Sequence, residues 1–143
     1  MSFDLKIING DLSISNGKLK TVEDSEKLIQ DILKICLTPA GSNPNYPWYG
    51  SFLSKTLIGS TLDEDVIVNY GQSQIQKSLE MLQQLQDLQI KNQQAVSADE
   101  QLAAILSTVI YRNPKEPRLF NVMIKALSRG TKPITTAFSL STI

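Results

Sequence analysis

Residues 61–91 carry the longest helical signal in this chain of 143 residues, and any fold must find cover for its apolar side. The run opens on Thr61-Leu62-Asp63-Glu64, a capping-box pattern in which Thr61 caps and Glu64 reaches back. Ile75, Leu79, Leu82, Leu85 and Leu88 form a stripe, while Gln72, Gln74, Gln76, Gln83, Gln84, Gln86 and Gln89 dominate the remainder. Glutamine keeps a surface polar without charging it, which suits burial against another chain; a solvated amphipathic helix is the alternative. Gly71 falls inside the run and marks a place for an interruption or kink, at a cost of about 1 kcal/mol against alanine.

Upstream, short apolar runs alternate with Asn9-Gly10 and Asn16-Gly17, dipeptides that accept the positive φ angles of tight hairpin turns. The pattern predicts a β-meander with strands at 5–8, 12–15 and 18–21. Leu28, Ile29, Ile32, Leu33 and Cys36 then recur at three- and four-residue spacing after Asp24 or Ser25, either of which can cap a helix over 24–37. That helix also needs a sheet or a partner over its stripe. Gly41, Pro44, Pro47 and Gly50 punctuate the next stretch, an ordered loop passing into a short element at 52–58. Tyr46, Trp48, Tyr49 and Phe52, four of the nine aromatic residues, fall within seven positions of it. With no Asp, Glu or Arg between Thr38 and Leu62 to orient a sugar or a charged substrate, the rings are expected to pin the loop on the core. A ligand platform is the alternative.

Residues 92–96 read as a linker, and Ser97-Ala98-Asp99-Glu100 repeats the capping-box pattern ahead of a short helical turn. β-Branched residues and Tyr111 mark a strand over 105–112, after which Pro114 and Pro117 impose a turn because neither can donate to a ladder. Two more strands follow at 118–127 and 134–140, and the last of them is left with an exposed edge. The expected fold is α+β in one domain, 1–143: a β-meander at 1–21, a helix at 24–37, an aromatic loop at 38–60, the long helix at 61–91 and an antiparallel sheet at 104–141.

Composition narrows the chemistry. The chain has no histidine, which removes Ser-His-Asp and Cys-His catalysis and the commonest transition-metal ligand, and its single cysteine excludes disulfides and thiolate zinc sites. Cys36 lies among Ile32, Leu33, Ile35 and Leu37 and is expected to be a buried structural thiol. A glycosidase needs two facing carboxylates, one of them protonated, whereas Glu116 is the single acid after residue 100 and has Lys115 and Arg118 beside it, cations that favour the carboxylate. Asp63-Glu64-Asp65 is a favourable first turn of a helix, and no phosphate loop or metal-spaced triad is present. No enzyme activity, cofactor or metal is therefore expected.

Fourteen basic residues balance fourteen acidic ones, which argues against a nucleic-acid partner. The balance is uneven along the chain: residues 1–100 hold eight lysines against thirteen acids, and residues 101–143 hold six basic residues against Glu116. An acidic body with a basic tail favours assembly with copies or acidic partners. No stretch has the roughly 18 apolar residues of a membrane span and the first residues lack a secretory pattern, so no membrane is expected and the chain is read as made and soluble in the cytosol. Glu116-Pro117-Arg118 places opposite charges on either side of a residue with fixed φ, at a strand entrance where each can make charge-assisted hydrogen bonds.

In their order, these features resemble a known family: the small baseplate wedge subunit, or sheath initiator, of contractile phage tails, a lysozyme-like wedge family with relatives in tailocins and type VI secretion baseplates. The residues that carry the resemblance are Asp4-Leu5-Lys6-Ile7-Ile8-Asn9-Gly10-Asp11-Leu12, Glu26-Lys27-Leu28-Ile29-Gln30-Asp31-Ile32-Leu33, Thr38-Pro39-Ala40-Gly41 through Pro47-Trp48-Tyr49-Gly50-Ser51, and Glu116-Pro117-Arg118, the family's hallmark tripeptide.

The resemblance implies a structural protein of the virion tail baseplate, assembled in the host cytoplasm and set around the tail tube in about six copies, as a six-fold ring requires. Glu116, Pro117 and Arg118 are implied to meet wedge subunits. The strand bearing Ile134, Thr136, Phe138 and Leu140 is implied to join the tail sheath protein by strand addition and to template the first sheath ring. Inner baseplate or tube proteins are further implied neighbours. The segment from Gly71 to Gln94 is longer than its counterpart in shorter members, and a wedge subunit is expected to form a helical bundle with it through Ile75, Leu79 and Leu82. Truncation after Lys132 is expected to leave a folded domain that cannot start a sheath. The alternative function is a cell-wall hydrolase or glycan-binding module of the tail.

Overall fold

The computed structural model describes residues 3–53 and 63–141. The β-meander is present as six short strands: β1 (Phe3–Leu5), β2 (Ile7–Ile8), β3 (Asp11–Leu12), β4 (Ile14–Ser15), β5 (Lys18–Leu19) and β6 (Thr21–Glu23). They pair antiparallel as β1 with β6, β2 with β3 and β4 with β5. Asn9 and Gly10 close one inner pair and Asn16 and Gly17 the other, with φ of 52° and 81°, and 52° and 73°, the positive values a type I′ turn needs at both central residues. Each expected run breaks once, at Lys6, Ser13 and Lys20, because these residues bond to one another. Ser13 N–H donates to the Lys6 carbonyl, Lys20 N–H to that of Ser13 and Lys6 N–H to that of Lys20, at 2.9–3.0 Å. The meander is thus three arms around a closed backbone ring, and none of residues 3–21 is buried.

Among the described residues α1 (Asp24–Leu37) and α2 (Glu64–Lys91) follow, then a 3-10 turn at Ala98–Glu100. Their starts differ from the capping patterns. Glu23 is the N-cap of α1 and makes no side-chain cap bond, while the Asp24 carboxylate instead accepts a 2.6 Å bond from the Ser97 hydroxyl. Ser97 is therefore spent on α1 and does not cap its own turn. Thr61 and most of the element expected at 52–58 lie outside the described residues. Gly71 does not interrupt α2. A Cβ there would stand 2.8 Å from Ile110 Cδ1 and 3.3 Å from Leu53 Cδ1, so the glycine lets the helix approach the sheet.

That sheet has three long strands, β7 (Leu102–Arg112), β8 (Leu119–Ser128) and β9 (Pro133–Ser141), antiparallel in the order β7-β8-β9. Both helices lie on one face, α2 against β7 and α1 against β9. Period-two alternation is clearest in β8, where Phe120, Val122, Ile124 and Ala126 are buried and the residues between them are not. These four meet Leu28, Ile32 and Ile35 of α1 and Ile67, Ile75 and Leu79 of α2 in one core.

The packing corrects three expectations. Ile75, Leu79 and Leu82 are buried in this chain's own core, so they cannot be the face offered to a wedge helix. Ile134 and Thr136 are buried, and Phe138 and Leu140 pack on the core, so β9 is part of the fold and a chain cut after Lys132 loses it. The aromatic loop is held by its backbone instead of its rings. Ala40 N–H donates to Ser51, Ser51 N–H to Thr38, and the Ser78 hydroxyl to Gly50, whereas Tyr46, Trp48 and Phe52 stay about half exposed and Tyr49 alone packs on the core.

Candidate interaction site

Glu116, Pro117 and Arg118 form the tip of the β7–β8 hairpin, all three exposed. Leu119 N–H donates to the Glu116 carbonyl at 3.0 Å, which makes residues 116–119 a β-turn with proline at its second position, where fixed φ is favoured. The loop before it is shaped by Asn113 and Arg112. The Asn113 side-chain oxygen accepts from Lys115 N–H and Glu116 N–H at 2.9 and 3.2 Å. Arg112 donates to the Pro117 carbonyl at 2.7 Å, sits 4.8 Å from the Phe120 ring centroid and approaches Glu64 at 4.0 Å. An Asn-Pro pair leading out of a strand is an available signal for this turn. The tip therefore presents Glu116 and Arg118 on a braced support.

At one edge of the sheet, β9 pairs with β8 alone among the described residues. Ser128 N–H donates to the Lys132 carbonyl, which fixes the alternation: Ile134, Thr136, Phe138 and Leu140 bond to β8, and the N–H groups of Thr135, Ala137, Ser139 and Ser141 point outward. Pro133, whose missing N–H would also point outward, costs no ladder bond. The four residues implied to choose a sheath partner are those turned toward the core. What β9 exposes laterally is backbone. The other edge is different. Gln72 Nε2 donates to the Thr108 carbonyl at 3.0 Å, and Gln83 Nε2 to the Ala103 and Leu102 carbonyls at 3.0 and 3.4 Å. Buried Gln86 accepts from Leu102 N–H at 2.8 Å and donates to the Glu100 carbonyl at 3.0 Å. Three of the glutamines read as a surface for another chain thus serve this chain's own β7.

The fold has a known counterpart. A crystal structure of a protein described as a tail lysozyme, from Geobacter sulfurreducens, superposes with a TM-score of 0.61 at 11% identity, covering 81% of this chain and 88% of that one. No family model matches, and no curated protein matches. At that identity the likeness is one of fold.

Lysozyme chemistry asks for two carboxylates across a cleft. A groove of ≈ 680 Å³ lies between the aromatic loop and the end of α2 and is lined by Tyr46, Trp48, Tyr49, Leu85 and Leu88 with Asn43, Gln89, Asn92 and Gln94. Trp48 stands edge-on to both tyrosines, at 5.9 and 6.3 Å between centroids. The described lining holds no carboxylate, and Glu116 belongs to the hairpin tip instead. Such a lining offers stacking and neutral hydrogen bonds. Cys36 is buried, and desolvation pushes its thiol up to about 12, so it is no nucleophile at neutral pH.

The meander is tied to α1 by polar groups. Gln30 accepts from Ile7 N–H at 2.9 Å and donates to the Leu5 carbonyl at 2.8 Å, and Lys34 bonds Asp4. Burial pushes Asp4 up, but the bond and charge of Lys34 and the bonds from Leu5 N–H and Gln30 outweigh it and hold the carboxyl below its ordinary 3.8. Burial likewise pushes Lys34 down, and Asp4 and Asp31 more than offset it, so its pKa lies above 10.5. A depressed acid stabilises above its unfolded value and a raised base below its own, so the tie is complete between those two values. It is lost as pH falls below 3.8 toward the folded value of Asp4, or rises above 10.5 toward that of Lys34. In an NMR titration the Leu5 and Ile7 amides are expected to shift in that acid range with α1 unchanged, and Asp4→Asn to abolish the step. Shifts that persist in Asp4→Asn would show another group responsible.

Proposed function

We propose that this chain is a structural component of a contractile-tail baseplate, which meets wedge subunits at its hairpin tip and templates the first sheath ring by accepting a strand along β9. The observation that carries the reading is the outer edge of β9, which pairs with no strand among the described residues, on a sheet whose other face packs into the core. Strand addition draws its affinity from backbone bonds, and this edge offers the N–H groups of Thr135, Ala137 and Ser139 in one line. The exposed Glu116-Pro117-Arg118 turn supports a charge-based contact with a wedge. The shared fold with a protein described as a tail lysozyme is compatible with a tail location.

A second reading, a hydrolase or glycan-binding module of the tail, has the aromatic groove and that neighbour's description in its favour. Quantitative mass spectrometry of purified tails tests the tail location, and a peptidoglycan assay separates the two readings. A structural ring on a six-fold baseplate is expected at about six copies per particle. Absence from the particle would overturn both, and clearing of a peptidoglycan suspension that Glu116→Gln abolishes would reverse the order.

A further inference from the structure

We propose that α2 closes the β7 edge of the sheet through Gln72 and Gln83, so that the sheet can be extended only through β9. A three-stranded sheet has two edges, and each exposes a row of donors and acceptors able to template another strand. The two are chemically unequal here. Asn113 N–H donates to the Leu119 carbonyl, which fixes the β7–β8 alternation and turns the carbonyls of Thr108 and Ile110 outward. Gln72 occupies that of Thr108, and Gln83 occupies those of Ala103 and Leu102 farther along. Two register shifts, between Leu102 and Ala104 and between Ile105 and Ser107, bend the strand out of the straight geometry that an added strand needs. Gly71 brings the helix close enough for carboxamides to reach.

A carboxamide suits the task because it can donate to a backbone carbonyl without bringing a buried charge. The same choice accounts for glutamine at positions 72 and 83, where solvated helices carry lysine and glutamate. An open β9 beside an open β7 would let one copy of this chain add its β9 to the β7 of the next. That contact is heterologous and does not close on itself, so it grows without limit. Closing β7 leaves a single acceptor edge, and a single acceptor edge makes the chain an end instead of a link. The inference shares only the open β9 edge with the tail reading and is tested on the isolated protein, so either can fail without the other.

The test is the mass of Gln72→Met/Gln83→Met over a range of concentrations, by analytical ultracentrifugation. Methionine keeps the length and helix propensity of glutamine and removes the donor. The double variant is expected to grow in mass continuously with concentration, while the natural sequence and the control Gln84→Met, changed at an exposed glutamine, keep one finite mass. Adding Ala137→Pro, which removes an outward donor from β9, is expected to stop the growth. A double variant with native circular dichroism and unchanged mass overturns the proposal, and so does growth that survives Ala137→Pro. If the double variant loses its circular dichroism, Gln72→Met alone is read by the same criteria.

Discussion

Deletion of residues 133–143 is expected to unfold the chain. Without β9 the inner edge of β8 loses its partner along its whole length, from Leu119 to Leu127. The backbone groups it strands belong to Phe120, Val122, Ile124 and Ala126, all buried. Each ladder bond exchanged for water costs about 0.5–1.5 kcal/mol, so the row of them is comparable to the 5–15 kcal/mol that holds a typical domain together. Ile134, Phe138 and Leu140 also leave the surface they cover on α1. Far-UV circular dichroism and a urea titration of residues 1–132 are the measurements. A cooperative transition near that of the full chain would show that β9 is an appendage. Any assembly defect of that truncation reports folding and says nothing of strand donation.

The contrast with the sequence reading has a physical origin. Even spacing of Ile134, Phe138 and Leu140 states that one face of a strand is largely apolar, but a core and a partner both satisfy that pattern. The same ambiguity affects Ile75, Leu79 and Leu82, whose stripe is covered by the sheet and α1. What was legible was local: the Asn-Gly turns, the span of α1 through Leu37, the proline-bounded hairpin and the three C-terminal strands all follow from turn chemistry and periodicity. Gln30, Gln83 and Gln86 were not legible, because a side chain that imitates a backbone partner at a distance of 14 to 25 residues leaves no periodic trace. Nor were the caps. Asp24 and Ser97 have the right chemistry for helix starts and spend it on each other across the fold. At the candidate site the tripeptide was visible, while its support from Arg112 and Asn113 depends on a hairpin closing first.

The sharpest separation of β9's two roles comes from proline at adjacent positions. Thr136 N–H points to β8 and bonds opposite Ile124, whereas Ala137 N–H points away from the sheet. Thr136→Pro removes a ladder bond in a buried position and leaves its β8 acceptor unsatisfied, at a cost of about 1–3 kcal/mol before any clash of the ring, enough to lower the melting point clearly. Ala137→Pro removes no bond of the isolated fold, because an edge strand tolerates proline where its N–H faces outward, and the preceding residue stays in the extended region that proline favours. It should melt within a few degrees of the natural sequence. Under the proposed tail role the ranking inverts during assembly. A strand laid along β9 would need the donor of Ala137 at the centre of the row formed with Thr135 and Ser139, and the proline ring stands in its path. Ala137→Pro is therefore expected to enter the particle in normal copy number and leave the tube without a sheath, visible by electron microscopy as bare tubes on intact baseplates. Normal sheaths on Ala137→Pro particles would remove β9 as the acceptor edge and leave the hairpin tip as the remaining candidate for assembly.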